Sequence, residues 1–391
     1  NPYVVTGDIF VDGDQSLTIE AGVEVLFFGE YYLYVYGDFA VEGTEADSVY
    51  FTNYSNEGSI LPWRGLMITG QANKTYTMEY VSLSGVNGYR ALQLDGMPSS
   101  SSFLMDHSVV RNNRSANQAL AVVFVSPNDE SLSLIEFKNS TFKHNNYGYY
   151  NYYTPDVQDR IFFENCVFME NQQAGIFLDN YSAGHFTGCT FTNNGWVGMY
   201  IYNVSDPDGV SFQNSNIYGN SQDDVYVECC SYSGVDLDFR YSYWGEETTA
   251  EMNEGDNPKN ISKIRDWYDH GEEGMIVNYA GWVGGSGVPG YTADVMFTDS
   301  EYNEIGPEYP AGTETVYFEV YDADITGSLD VTLTSDTDTE GETLTLNEVD
   351  GETGYFRGSI PVGVASTRLL NEDLLPARME QLRSQYPDHN D

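Results

Sequence analysis

A short residue pattern that recurs through the middle of the chain constrains its fold more than any other feature. The pattern is an apolar residue, a small residue three positions later, a second apolar residue two positions after that, and Asn three positions further on. The clear copies are Phe137-Ser140-Phe142-Asn145, Phe163-Cys166-Phe168-Asn171, Phe186-Cys189-Phe191-Asn194 and Phe212-Ser215-Ile217-Asn220. Weaker copies extend the series from Leu83 to Trp244, with steps of 23 to 32 residues between equivalent apolar positions.

A repeat of this length, with alternating strands and no helical stripe, predicts a parallel β-solenoid in which one repeat forms one coil. Leucine-rich repeats share the period but need Leu at fixed offsets and a helical side, and the chain has neither. Equivalent residues should stack about 4.8 Å apart along the solenoid. We therefore predict about nine coils between Ser16 and Gly245, with inward ladders of Phe and of Ser or Cys. The Asn positions should form a corner ladder and supply its left-handed backbone.

The two ends of the repeat region resemble a known family. The segments 17–23 (LTIEAGV) and 63–66 (WRGL) resemble the opening coils of secreted, pectate-lyase-like right-handed parallel β-helix proteins. The segments 243–245 (YWG) and 274–279 (GMIVNY) resemble the C-terminal cap of the same proteins. The resemblance implies a capped right-handed β-helix over residues 1–282. It implies little about activity, because this fold hosts lyases, epimerases, phage tailspikes and adhesins.

The remainder of the chain changes character twice. Residues 283–290 are a Gly-rich linker, and residues 291–365 alternate apolar and polar side chains between acidic turns, which predicts a small β-sandwich. This region resembles the immunoglobulin-like domains of bacterial and archaeal surface proteins. Residues 366–391 carry apolar residues at helical spacing and predict a short C-terminal helix. The fold class predicted for the chain is therefore all-β, with a β-helix, a β-sandwich and a helical tail.

The charge balance narrows the range of partners. The chain has 60 Asp and Glu against 16 Lys and Arg, a formal net charge of −44. Nucleic acid and anionic membranes attract clustered Lys and Arg, so both are poor partners, and no direct membrane insertion is expected. Disorder is not expected either, because 41% of the residues are hydrophobic. An acidic, Lys-poor surface fits solubility at high salt or simply an acidic secreted protein.

The outer face of the rod offers the most informative candidate surface. If Ile176 and Leu178 point inward, Phe177 points outward between them. The same alternation sends further aromatic residues outward on neighbouring coils, and the candidate contact residues are Tyr150, Phe177, Tyr200, Tyr202 and Tyr226. Exposed rings suit sugar rings or another protein. The alternative is that stacked aromatic side chains only stabilise adjacent coils, or that a loop covers them.

Calcium is the one cofactor that the sequence suggests. Asp206 with Asp208, and Asp322 with Asp324, place hard oxygen ligands close together in turns. Neither pair completes an EF-hand or an RTX nonapeptide. Asp is also an ordinary turn residue, so these four positions are candidates for metal ligation or for turn formation alone.

The four cysteines fall into two pairs. Cys166 and Cys189 occupy ladder positions that Ser fills in other coils, so they are either small buried residues or a disulfide between neighbouring coils. Cys229 and Cys230 are adjacent and are candidates for a vicinal disulfide in an oxidising compartment.

Catalytic residues are not assigned. Lys143 and His144, with His185 two coils further on, form the one basic cluster in the rod, and we expect the first two to be solvated corner residues. The predicted function is that of a secreted or cell-surface structural or adhesion protein. It would contact extracellular polysaccharide or assemble with copies of itself into a layer or fibre. The alternatives are a polysaccharide lyase or epimerase, and a non-catalytic carbohydrate-binding module.

Overall fold

The computed structural model shows an all-β chain that divides into two compact units at residues 287 and 288. The structure describes residues 2–56, 59–60, 63–86, 90–98, 100–113, 121–126, 134–152, 160–179, 184–202, 209–228, 236–270, 275–283, 294–302, 315–321, 327–335, 338–349 and 352–361. The predicted helical tail at 366–391 and most of the predicted linker at 283–290 lie outside these residues.

The first unit is a right-handed parallel β-helix, as the repeat predicts. Successive strands are assigned in turn to three parallel sheets, here called A, B and C, and each strand pairs with its equivalent in the next coil. Within the described residues, sheet A has nine strands, and sheets B and C have ten each. A crossover between parallel strands of one sheet is almost always right-handed, because the strands themselves twist to the right.

The strands have the following bounds. Sheet A contains Tyr3–Val5, Glu24–Phe27, Val49–Asn53, Val81–Ser84, Val109–Arg111, Thr141–Lys143, Val167–Met169, Thr190–Thr192 and Asn216–Tyr218. Sheet B contains Ile9–Val11, Tyr32–Val35, Gly65–Thr69, Arg90–Asp95, Ala121–Ser126, Tyr147–Tyr152, Ala174–Asp179, Val197–Tyr202, Asp223–Glu228 and Ile264–Arg265. Sheet C contains Ser16–Glu20, Asp38–Glu42, Thr75–Glu79, Ser102–Asp106, Leu134–Lys138, Ile161–Glu164, Gly184–Thr187, Val210–Ser211, Leu237–Asp238 and Val277–Asn278. A small antiparallel hairpin pairs Ser55–Asn56 with Ser59–Ile60.

The interior of the rod is packed by stacked aromatic rings. On sheet C, the ring centroids of Phe137 and Phe163 are 4.5 Å apart, and those of Phe163 and Phe186 are 4.6 Å apart. On sheet A, Phe168 stacks on Phe191 at 5.0 Å. These residues are no more than 1% exposed, which confirms the predicted inward ladder. Each such pair adds about 0.5–1.5 kcal/mol beyond the burial of its area.

The small-residue ladder is also confirmed, and it satisfies backbone groups at one corner. Its members, no more than 1% exposed, are Ser108, Ser140, Cys166, Cys189, Ser215 and Ser242. The Ser140 hydroxyl accepts a hydrogen bond from the Ser108 backbone N–H at 3.1 Å and donates one to the Lys138 carbonyl at 2.6 Å. A buried backbone N–H therefore finds its partner in the next coil, which avoids the penalty of an unpaired donor.

The Asn ladder forms the second corner and ends in a carboxylate. Each Asn donates its backbone N–H to the side-chain oxygen of the next, as Asn171 does to Asn194 at 3.1 Å, and Asn194 to Asn220 at 3.1 Å. The last member, Asn220, donates both its backbone N–H and its Nδ2 to Asp224 Oδ1, at 3.2 and 2.8 Å. Burial raises the pKa of Asp224 to about 7, against the lowering effect of these bonds.

The left-handed corner position was predicted wrongly. The left-handed residues are those that immediately precede the ladder Asn, namely Asn112, His144, Glu170, Asn193 and Gly219, with φ between 53° and 70°. The ladder Asn is constrained by its amide bonds instead. Non-Gly residues accept this conformation because the hydrogen bonds of the neighbouring coils hold it.

The C-terminal end of the rod is covered by two short helices, α1 (Gly245–Asn253) and α2 (Trp267–His270). Met252 of α1 is fully buried in the same core as Trp244. Asp266, before α2, accepts bonds from the backbone N–H groups of Tyr268 and Val277. Burial raises its pKa to about 6. No helix among the described residues is long and apolar enough to cross a membrane.

The second unit contains one five-stranded antiparallel sheet in its described residues. The strands, in their order across the sheet, are Asp294–Thr298, Thr315–Tyr321, Glu352–Pro361, Asp338–Val349 and Ser328–Ser335. Buried apolar side chains from four of these strands form a common core, which contains Phe318, Val320, Leu329, Val331, Leu346 and Phe356. The alternation that predicted strands here therefore places one apolar face inward.

Candidate ligand-binding face

The outer face of sheet B carries the predicted contact residues. The strand register pairs one outer position of every coil with its neighbours along the whole rod. In order, these positions are Phe10, Tyr34, Met67, Gln93, Phe124, Tyr150, Phe177, Tyr200, Tyr226 and Arg265. The inward neighbours Ile176, Leu178, Met199 and Ile201 are at most 1% exposed, so the predicted alternation is correct.

Four aromatic rings on consecutive coils form what we call the aromatic row: Tyr150, Phe177, Tyr200 and Tyr226. Their centroids are 4.6, 4.7 and 5.0 Å apart in that order, with ring planes tilted by 31° to 43°. The rings therefore pack on one another along the rod and stabilise adjacent coils. Because their faces meet along the rod, a ligand on this surface contacts ring edges and hydroxyl groups.

The exposure of the row differs from the prediction at one end. Tyr150 is only 9% exposed, because it packs against Phe177 and is approached edge-on by Tyr147 at 6.0 Å. Phe177, Tyr200 and Tyr226 are half-buried, and Tyr202, beside the row, is 36% exposed. The accessible part of the surface therefore lies towards Tyr200, Tyr202 and Tyr226.

Carboxylates lie beside the row and fix its hydroxyl groups. The Tyr150 hydroxyl donates to Asp179 Oδ2 at 3.3 Å, and the Tyr200 hydroxyl donates to the Glu228 carboxylate. Burial and the bond to Glu228 raise the pKa of Tyr200, so its hydroxyl remains a donor across the physiological range. The carboxylate oxygens of Glu228 are hydrogen-bond acceptors for donors on a ligand.

Two contributors to this surface were not anticipated from the sequence. Trp196 packs edge-on against Tyr200 at 5.0 Å, and its Nε1 donates to Gln222 at 3.0 Å. Arg265 lies over the Tyr226 ring at 4.9 Å and within 3.4 Å of the Asp223 carboxylate. Arg265 belongs to the last strand of sheet B, which follows α1 and therefore falls outside the repeat.

The basic cluster is not a pair of solvated corner residues. Lys143 is 2% exposed, so that expectation is wrong for this side chain. His144 Nε2 lies 2.5 Å from the Glu170 carboxylate of the next coil, and both side chains are less than 20% exposed. His185 bonds to the Ser211 hydroxyl at 2.9 Å on sheet C. Lys143 ends a strand of sheet A, His144 follows it at the corner, and His185 lies in a strand of sheet C, so residues that the sequence had grouped lie on different parts of the rod.

The calcium candidates Asp206, Asp208, Asp322 and Asp324 lie outside the described residues. Among the residues that are described, no group of three or more His, Cys, Asp or Glu side chains is placed to hold a metal ion.

The cysteine candidates divide in the same way. Cys229 and Cys230 lie outside the described residues. Cys166 and Cys189 are buried free thiols in this structure. Each thiol donates to the carbonyl of the preceding coil, Cys166 to Phe137 at 3.4 Å and Cys189 to Phe163 at 3.5 Å. Burial raises the pKa of Cys166 well above its usual value, so the thiol is held neutral.

Comparison with known proteins gives similarity of fold. Residues 121–243 match the family described as "right handed beta helix region". Four solved chains match, and one of them is the A-module of the Azotobacter vinelandii mannuronan C-5 epimerase AlgE4. That match has 14% identity and a TM-score of 0.31, and it covers 62% of this chain and 77% of that chain. No curated protein matches the sequence. A similarity this distant carries no information about activity.

Proposed function

We propose that the chain is a secreted or cell-surface structural or adhesion protein whose β-helix binds an extended carbohydrate along the outer face of sheet B. The observation that carries the proposal is the aromatic row with its flanking carboxylates. Sugars present both C–H groups and hydroxyls, and this surface places ring edges beside the carboxylate of Glu228, a hydrogen-bond acceptor. We also propose that the second unit is immunoglobulin-like, that the protein is secreted and that it contacts polysaccharide.

The geometry favours a linear ligand. Equivalent residues of neighbouring coils are spaced about 4.8 Å apart along a straight axis, so the surface repeats a similar contact at each coil. A polymer of similar sugars also has a regular repeat, so it can make a similar contact at each coil. A second copy of this chain is the other partner that the sequence suggested. Its net charge of −44 repels an identical molecule unless salt screens the interaction.

The test is a comparison of polysaccharide binding between the wild type and the variant Tyr200→Ala/Tyr226→Ala, using affinity electrophoresis in gels that contain single polysaccharides. The matched control is Tyr3→Ala, which removes a 66% exposed ring from sheet A. We expect the double variant to lose retardation and the control to keep it. If both variants bind and self-associate like the wild type while remaining folded, the row only stabilises the coils.

The same samples separate binding from catalysis. Under the proposal, a polysaccharide that is bound keeps its chain length and its sugar stereochemistry after prolonged incubation. Shortening of the polymer with formation of an unsaturated sugar, or a change in uronate configuration, would instead support the lyase or epimerase alternative.

A further inference from the structure

A pocket on the same face of sheet B contains two arginines. It lies in the coils that precede the aromatic row, where the strands Tyr32–Val35, Gly65–Thr69 and Arg90–Asp95 pair side by side. Gly65 is in register with Tyr32, and it allows the Arg90 carbonyl of the next coil to approach closely, because a Cβ at this position would lie 2.2 Å from that oxygen. The cavity has a volume of about 260 Å³ and is lined by Tyr32, Arg64, Leu66, Met67, Arg90 and Gln93.

The charge in this pocket differs from that of the chain as a whole. None of the described residues that line it is acidic, although acidic residues outnumber basic ones 60 to 16 in the sequence. Arg64 is 36% exposed and pairs with Glu30, whose side chain is 65% exposed. Burial lowers the pKa of Arg90, while Asp95, Tyr150 and Tyr32 act against that shift. A half-buried guanidinium of this kind is stabilised by an incoming anion.

The pocket lies on the same sheet as the aromatic row, two coils before Tyr150. Gln93 of the pocket is followed, in register, by the position of Phe124 and then by Tyr150. Two coil steps correspond to about 10 Å, so one linear ligand can reach from the pocket to the row. Arg90 also lies close enough to Tyr150 for the two side chains to interact electrostatically.

We propose that this pocket binds the oxyanion of an acidic sugar, a carboxylate or a sulfate, while neighbouring sugars of the same chain lie along the aromatic row. The proposal rests on the carbohydrate-binding function proposed above and names its ligand class. Arginine suits the role because its planar fork donates two parallel hydrogen bonds to an oxyanion. Sites that enclose drug-sized ligands have volumes of about 300 Å³ or more. The volume of this cavity is slightly smaller, which fits a single charged sugar.

The electrostatic repulsion between this acidic chain and an acidic polymer decides the salt concentration of the assay. A net charge of −44 repels an acidic polymer at low salt, whereas the Debye length is only about 3 Å at 1 M salt. Partly buried pairs are screened much less than exposed ones. Binding is therefore measured at about 1 M NaCl, where contacts within the pocket dominate.

The experiment compares two polymers that differ only in charge. Polygalacturonate and the same polymer with its carboxyl groups reduced to alcohols are titrated against wild type, Arg64→Gln and Arg90→Gln. Arg160→Gln is the control, because it removes the same charge from an exposed position beside sheet C. A sulfated galactan and its desulfated form provide a second matched pair and distinguish sulfate from carboxylate recognition.

We expect the wild type and Arg160→Gln to bind one charged polymer at least about tenfold more tightly than its neutral partner, which is 1.4 kcal/mol. Both pocket variants should lose that preference and keep the neutral affinity. An unchanged preference in folded Arg64→Gln and Arg90→Gln overturns the proposal. So does a loss of self-association in these variants without a change in polysaccharide binding, which identifies an interface between copies. If the wild type binds none of the four polymers, the proposed function itself has failed.

Discussion

Replacing Asp224 by Asn tests how the Asn ladder ends. Asp224 is 1% exposed and accepts two hydrogen bonds from Asn220 through Oδ1. An Asn side chain keeps this acceptor and the shape of the carboxyl group, but it carries no charge at any pH. The substitution therefore removes one buried ionisation and preserves the ladder.

The magnitude follows from the two pKa values. Burial raises the pKa of Asp224 from 3.8 to about 7 in the folded protein. A folded pKa above the unfolded one means that the stabilising effect is fully present below pH 3.8 and is lost as the pH rises through 7. With about 1.4 kcal/mol for each pKa unit, the full change is about 4 kcal/mol.

The assay is urea unfolding of wild type and Asp224→Asn at fixed ionic strength between pH 4.5 and 8.5. The difference in unfolding free energy between the two proteins isolates Asp224 from groups that titrate in both, such as Asp266, whose pKa is raised to about 6. We expect the variant to be more stable by about 1 kcal/mol at pH 4.5, where part of the effect is already lost, and by about 4 kcal/mol at pH 8.5. A difference that is constant across this range would refute the buried-carboxylate account of the ladder.

Four further predictions concern the core, the charge, calcium and one hydroxyl group. Phe191→Ala should lower the unfolding free energy by about 3–5 kcal/mol, because Phe191 is fully buried. Phe10→Ala removes a ring that is 55% exposed and should change the unfolding free energy little. Equal effects of the two substitutions would place Phe191 at the surface. With a chelator present, the melting temperature should rise with NaCl, because the Debye length falls from about 30 Å at 0.01 M to about 3 Å at 1 M, and a flat series would contradict charge repulsion. Millimolar Ca²⁺ at fixed ionic strength should raise the melting temperature further if the candidate Asp pairs bind it, and no gain would leave them as turn residues. Tyr200→Phe should keep the ring stacking and the fold but alter polysaccharide affinity, since it removes the bond to Glu228; unchanged affinity would exclude that hydroxyl from the binding surface.

The repeat predicts the core because strand alternation and coil length are both encoded locally. Once Phe142 and Phe168 are recognised as equivalent, the inward ladder and the outward aromatic row follow from a period of two. The corner geometry does not follow in the same way. His144 and Glu170 have no intrinsic preference for a left-handed backbone, and they adopt it because hydrogen bonds from neighbouring coils fix the corner.

The burial of side chains on the outer face also could not be predicted from the order of residues along the chain. Tyr150 is nearly inaccessible because of Phe177 on the next coil and Tyr147 on its own strand. The arginine pocket could have been found, since Arg64 and Arg90 are 26 residues apart, which is one coil length. Arg265 could not, because the segment that contains α1 breaks the period before the last strand of sheet B.

Hydroxyl-radical footprinting of tyrosine side chains, with and without a polysaccharide that the protein retains, shows whether the outer face of sheet B is the ligand surface. Tyr202, Tyr200 and Tyr226 lie on that face, whereas Tyr3 and Tyr241 are 66% and 51% exposed elsewhere on the rod. We expect the polysaccharide to lower the oxidation of the first three residues and to leave that of the other two unchanged. Protection of Tyr3 or Tyr241 with no change at Tyr202, Tyr200 and Tyr226 would contradict this expectation.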